Sequence, residues 1–124
     1  MIYVKHIYHL NKMEKPIVVR MKGTLNDKKI RISDEEVVYI GRNLNMAGWR
    51  LKCSKWCNPY KVGKDGSLEE VLEKYEVYLR NRKDLLDDLH ELNGCKLGCW
   101  CKPKNCHGDI IVKLFDEKYN KTIE

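Results

Sequence analysis

The chain has 124 residues, 43% of them hydrophobic and 34% charged, with a formal net charge of +6. That length supports a single domain, 1–124, with its own core, and the composition excludes intrinsic disorder. No apolar run approaches the roughly 18 residues of a membrane span and no signal-peptide core opens the chain, so the sequence predicts a cytoplasmic protein without a membrane partner. In such a reducing compartment six cysteines read as thiols or metal ligands before disulfides. Residues 1–64 carry 14 Lys/Arg against 5 Asp/Glu, whereas residues 65–124 carry 10 against 13. A basic N-terminal half suits a phosphate-bearing partner, a nucleotide or nucleic acid. A solvated lysine-rich surface explains it about as well.

Strands come first. Ile2-Tyr3-Val4 opens, and Ile17-Val18-Val19-Arg20-Met21 and Lys29-Ile30-Arg31-Ile32 flank a turn at Asn26-Asp27, the pattern of a hairpin. Val37-Val38-Tyr39-Ile40 is the strongest strand and stops at Gly41, after which residues 42–66 read as irregular. Ser67 and Glu70 have the spacing of a capping box. Behind them Leu68, Val71, Leu72, Tyr75 and Tyr78 make one apolar helical face. A short helix carrying Leu85, Leu86, Leu89 and Leu92 ends at Asn93-Gly94, and Leu97 to Trp100 reads as a buried strand. A last helix starts near Cys106 and faces inward with Ile110, Ile111, Leu114 and Phe115. Strands followed by helix, helix, strand and helix predict a small α/β domain with helices packed on a sheet, the C-terminal strand, loop and helix carrying a Cys-His motif.

That motif is the densest chemistry in the chain. Cys99, Cys101, Cys106, His107 and Asp109 fall within eleven residues, where a strand gives way to a helix. Helix N-terminal amides and the helix dipole favour a thiolate or an anion there, and they lower cysteine pKa values. Three uses stay open. Cys101 or Cys106 acts as nucleophile, with His107 as acid or base and Asp109 orienting it or touching substrate. Alternatively zinc takes four ligands from among Cys99, Cys101, Cys106, His107 and Cys57, the first four foremost, although no C-x2-C knuckle supports a structural site. The third use is packing, which suits any one of these residues alone better than it suits Cys101, Cys106 and His107 together. A second patch, Trp56 to Lys64, places Trp56 and Tyr60 to stack on a base, Asn58 to read it, and Lys61 near phosphate.

Together the two patches, Trp56-Cys57-Asn58-Pro59-Tyr60-Lys61-Val62-Gly63 and Leu97-Gly98-Cys99-Trp100-Cys101 followed by Pro103 to Asp109, resemble the family called domain of unknown function 4326. They are similar, more loosely, to domain of unknown function 488. The resemblance covers residues 37–115, with Val38 to Arg42 as the strand entering the site, and leaves 1–36 as N-terminal strands that extend the core. It implies membership of a group found in bacteria, phages and large DNA viruses. Trp56, Asn58, Pro59, Cys99, Trp100, Cys101, Pro103, Cys106, His107, Gly108 and Asp109 fall on its motif. Cys57 stands where the family usually has glycine, residues 43–55 look like an insertion, and Cys53 and Cys95 lie outside the motif as packing residues. The functional expectation is a Cys-His site that acts on or binds a nucleotide or nucleic acid, with Cys101, Cys106, His107 and Asp109 catalytic. Trp56, Asn58, Tyr60, Lys61 and Trp100 would then bind the substrate. The alternative is a non-enzymatic, zinc-stabilised module that binds nucleic acid or protein.

Overall fold

In the computed structural model, which describes residues 13–21, 37–46, 49–101 and 104–120, the last strand in sequence lies at the centre of a sheet. β1 (Ile17–Arg20) and β2 (Val37–Tyr39) flank β5 (Lys96–Cys99), and both pair with it in parallel. Val18 and Val38 lie opposite Leu97, and Val19 and Tyr39 lie opposite Gly98. Side chains therefore alternate in step across all three strands.

One face of the sheet carries the helices. α1 (Leu68–Arg80), α2 (Lys83–Asp87), a 3-10 turn (Leu89–Leu92) and α3 (His107–Tyr119) pack with Leu97, Cys99 and Ile40 into the main core, around Tyr75, Leu79, Leu85, Leu89, Ile111 and Phe115. The predicted capping box starts α1: the Glu70 amide donates to Ser67 Oγ at 3.2 Å, and the Ser67 amide donates to Glu70 Oε1 at 2.8 Å. Val71, Tyr75 and Leu79 form its buried line, while Leu68 and Leu72 are half-buried beside a cavity. The expected second helix divides into α2 and the 3-10 turn but keeps Leu85, Leu89 and Leu92 inside. It ends where predicted, with Gly94 in the left-handed region at φ 71°.

The opposite face holds a smaller core of Met21, Tyr39 and Leu51, joined by Leu44 and Trp100. Here the sequence expectation needs correcting. Residues 42–66 are not wholly irregular, because β3 (Leu44–Met46) and β4 (Trp49–Leu51) pair antiparallel, Leu44 opposite Leu51. Three-residue strands are too short for alternation to stand out, yet they supply the apolar pair that covers this face. Cys53, expected as a packing residue, and Cys57, expected with the other cysteines as a thiol or metal ligand, form a disulfide. The turn in which the Cys57 amide donates to the Ser54 carbonyl at 3.1 Å brings their Cα atoms to 5.9 Å, within disulfide reach. The strands expected at Ile2–Val4 and Lys29–Ile32, and the turn at Asn26-Asp27, lie outside the described residues. β1, placed by sequence in the N-terminal extension, is an edge of the same sheet as the core strands.

Candidate functional site

Three parallel strands end on one edge, and the chain leaving two of them, β2 and β5, contributes to one place. A cavity of about 510 Å³ opens there, between the loops after β2 and β5, the segment around Tyr60, and the first turns of α1 and α3. Open parallel sheets characteristically bind ligands at this edge.

The wall is latched by the Tyr39 hydroxyl, which accepts from Trp100 Nε1 at 2.9 Å and donates to the Arg42 carbonyl at 2.6 Å. Burial pushes this phenol up, although the Trp100 hydrogen bond works the other way. The loop after β2 crosses so close to the Tyr39 ring that a Cβ on Gly41 would lie 2.5 Å from the hydroxyl oxygen. Arg42 then reaches across the opening and donates from Nη2 to the Tyr60 carbonyl at 2.6 Å.

The floor is sulfur and imidazole. Cys106 caps α3: its Sγ accepts from the Gly108 amide at 3.3 Å, while its own amide donates to Asp109 Oδ2 at 3.1 Å. Helix caps are usually Ser, Thr, Asp or Asn, and here a thiol takes that place. His107 donates from Nε2 to the Ile40 carbonyl at 2.7 Å. A carbonyl only accepts, so in the neutral ring Nδ1 presents its lone pair, 3.9 Å from Cys106 Sγ. The Tyr75 ring meets the imidazole edge-on, centroids 5.0 Å apart. Burial holds His107 below its usual pKa, against the pull of the Ile40 carbonyl.

Hydrogen bonds with Cys101 and Cys99, together with burial, hold the Cys106 thiol well above the ordinary range. At Cys101 the hydrogen bond with Cys106 favours the thiolate, but the bond with Cys99 and burial outweigh it and the thiol stays raised. A low-pKa thiolate, expected at the helix N-terminus, is therefore not the resting state. Of the helix amides expected to hold an anion, those of Gly108 and Asp109 are engaged by Cys106 itself.

Cys101, Cys106, His107, Trp100, Asn58, Tyr60 and Lys61 line the cavity, together with Cys99. Two expected site residues sit elsewhere. Trp56 is 2% exposed in the main core, where its carbonyl accepts from the Tyr75 hydroxyl at 2.7 Å, so its ring has no face to offer a ligand. Asp109 caps α3 from outside the cavity lining. Asn58, expected to read substrate, accepts at Oδ1 from the Tyr60 amide at 2.9 Å and donates at Nδ2 to the Val71 carbonyl at 3.5 Å. It shapes the wall. Among the described residues no three His, Cys, Asp or Glu side chains converge as a metal site, so the zinc set Cys99, Cys101, Cys106 and His107 is not assembled. Tyr39, Arg42 and Asn105 also line the cavity. They fall in the stretches Val38 to Arg42 and Pro103 to Asp109 that carry the family resemblance, though the sequence gives none of them a role of its own.

Fold and site together define a small α/β domain with a ligand-sized cavity at the carboxyl edge of a parallel sheet. The chain belongs to the family described as Domain of unknown function (DUF4326), whose model matches residues 24–117. It is 42% identical over 118 residues to Uncharacterized protein R718 of Acanthamoeba polyphaga mimivirus, covering 87% of each chain. It is also 41% identical over 63 residues to the Uncharacterized 12.4 kDa protein in nrdA-td intergenic region of Enterobacteria phage T4, covering 47% of this chain and 58% of that one. No solved structure matches.

Proposed function

We propose that this chain binds a nucleotide in the cavity at the sheet edge and acts on it through Cys101. The observation that carries this is the lining itself. Trp100 and Tyr60 offer aromatic surface, Arg42 and Lys61 bring positive charge, and no carboxylate lines the cavity among the described residues. A mostly apolar cleft of this size with a few convergent polar groups is the usual form of a small-molecule site. Planar rings stack on such aromatic walls, and an anionic ligand meets no repulsion there.

Cys101 is the exposed thiol of the floor, and it hydrogen-bonds to Cys106, which in turn lies beside the His107 lone pair. A proton leaving Cys101 thus has a path through Cys106 to Nδ1, while the Ile40 carbonyl fixes the ring. This is the arrangement of a nucleophile, a base and an orienting group. Because both thiols are held up and the imidazole down, these three groups rest uncharged, and ligand binding has to supply the drive for proton transfer.

Calorimetric titration with purine and pyrimidine nucleotides tests binding. At least one class should bind, Trp100→Phe should retain it and Trp100→Ala should lose it. Folded protein that binds none refutes the proposal. Mass spectrometry of the bound nucleotide tests the chemistry: a product that Cys101→Ser abolishes is expected, and a ligand unchanged after prolonged incubation refutes the catalytic part alone.

A further inference from the structure

Past Trp100 and Cys101 a second chamber, of about 550 Å³, adjoins the first. The two share Trp100, Cys101 and Asn105 in their linings, and the second adds Arg20 and Lys104. We propose that this chamber holds the terminal phosphate monoester of the nucleotide whose base occupies the main cavity. The inference rests on nucleotide binding in that cavity and adds which nucleotides: those with a free phosphate end.

Arg20 and Lys104 come from separate elements. Arg20 ends β1 with its backbone paired to Cys99, and Lys104 lies in the turn where its amide donates to the Cys101 carbonyl at 2.8 Å. Both therefore have backbones fixed to β5 or the residues just after it. Cations on the helical side of the molecule are neutralised by neighbours: Arg80 by Glu76 and Glu117, Arg82 by Asp84, Lys113 by Glu76. Among the described residues neither Arg20 nor Lys104 has an ion-pair partner, and no carboxylate lines their chamber. A phosphate dianion is a ligand that a guanidinium and an ammonium lining one cleft would share. The Gly108 and Asp109 amides of α3 already serve Cys106, so the proposed phosphate is held by these two side chains. Because Trp100, Cys101 and Asn105 border both chambers, a ligand held in the first lies next to the second.

The test is calorimetry on the full chain with a nucleoside, its 5′-monophosphate, and a trinucleotide with and without 5′-phosphate, for wild type and Arg20→Gln/Lys104→Gln. Both side chains are exposed, and unchanged thermal melting checks that the double variant folds. The monophosphate should bind about tenfold or more tightly than the nucleoside, by charge-assisted contacts that added salt weakens. The double variant should erase that margin and keep the nucleoside affinity. Equal affinity for nucleoside and monophosphate, or a margin that survives the double substitution, overturns the phosphate chamber while nucleotide binding stands. Failure of all four ligands overturns both. A phosphorylated trinucleotide that outbinds the monophosphate identifies a strand end as the source; the reverse identifies a free nucleotide.

Discussion

Gly108→Ala tests how tightly the site is held against the sheet. Alanine is usually the better helix residue, by about 0.8–1 kcal/mol in a helix interior. Here a Cβ would lie 2.9 Å from Ile40 Cδ1, 2.9 Å from Val18 Cγ2 and 3.1 Å from Val18 Cγ1. The Ile40 methyl is the end of a flexible side chain and can yield. Val18 is β-branched in a strand and cannot turn both methyls away. α3 must therefore move outward, an overpacking cost of about 1–3 kcal/mol. In the first turn the propensity gain is reduced, so the net loss should be about 1–2 kcal/mol. Urea and thermal unfolding read it, the latter as a fall of roughly 4–8 °C per kcal/mol for a domain near this size. Val18→Ala in the same chain should recover part of the loss, giving a favourable coupling in the double-mutant cycle. A Gly108→Ala protein as stable as wild type, or strictly additive costs, would show that helix and sheet are not in close contact here.

Acid should weaken the fold through His107. Its folded pKa is lowered, so below about pH 6.5 the unfolded chain takes up a proton that the native chain refuses, and stability falls as pH drops toward 5. His107→Gln keeps a donor for the Ile40 carbonyl and should flatten that slope; an identical slope means His107 is not its source. At the alkaline end Cys106 acts with the opposite sign. Its thiol is raised in the native state, so stability should fall above about pH 8.5 as the unfolded thiol ionises first, and Cys106→Ser should reduce that fall. Iodoacetamide at pH 7.5 should modify exposed Cys101 well before buried Cys106, which peptide mapping can follow; early labelling of Cys106 would contradict its burial. Tyr39→Phe removes the partner of both Trp100 Nε1 and the Arg42 carbonyl and should cost about 1–3 kcal/mol in chemical denaturation. An undiminished midpoint would show that the latch does not contribute.

Sequence pattern revealed most where physics is local. Ser67 and Glu70 announce α1 because a capping box needs only residues three apart, and Asn93-Gly94 ends the helical run because one backbone conformation demands it. That Cys101, Cys106 and His107 lie close together is legible because the strand and helix flanking them are near neighbours in sequence. What stayed hidden depends on contacts between distant segments. Nothing near Trp56 signals that α1 will bury it, and nothing near Asn58 signals that Tyr60 and Val71 will occupy its amide. The raised pKa of Cys106 is hidden from sequence for the same reason. A helix N-terminus argues for a thiolate, but two further sulfurs and burial outweigh it, and Cys99 and Cys101 meet Cys106 only once β5 and α3 are packed.

The central position of β5 has a consequence for how the chain is made. β1 and β2 are synthesised well before their shared partner, and among the described residues neither pairs with the other. A nascent chain that has not yet released residues 96–99 from the ribosome thus has no three-stranded sheet to form, however complete α1 is. Assembly must wait for a contact nearly 80 residues distant in sequence, Ile17 with Lys96, and high contact order slows folding. Ribosome-bound chains halted just before and just after β5 emerges should differ abruptly in protease resistance, with order arriving in β1, β2 and the cavity wall at a single step.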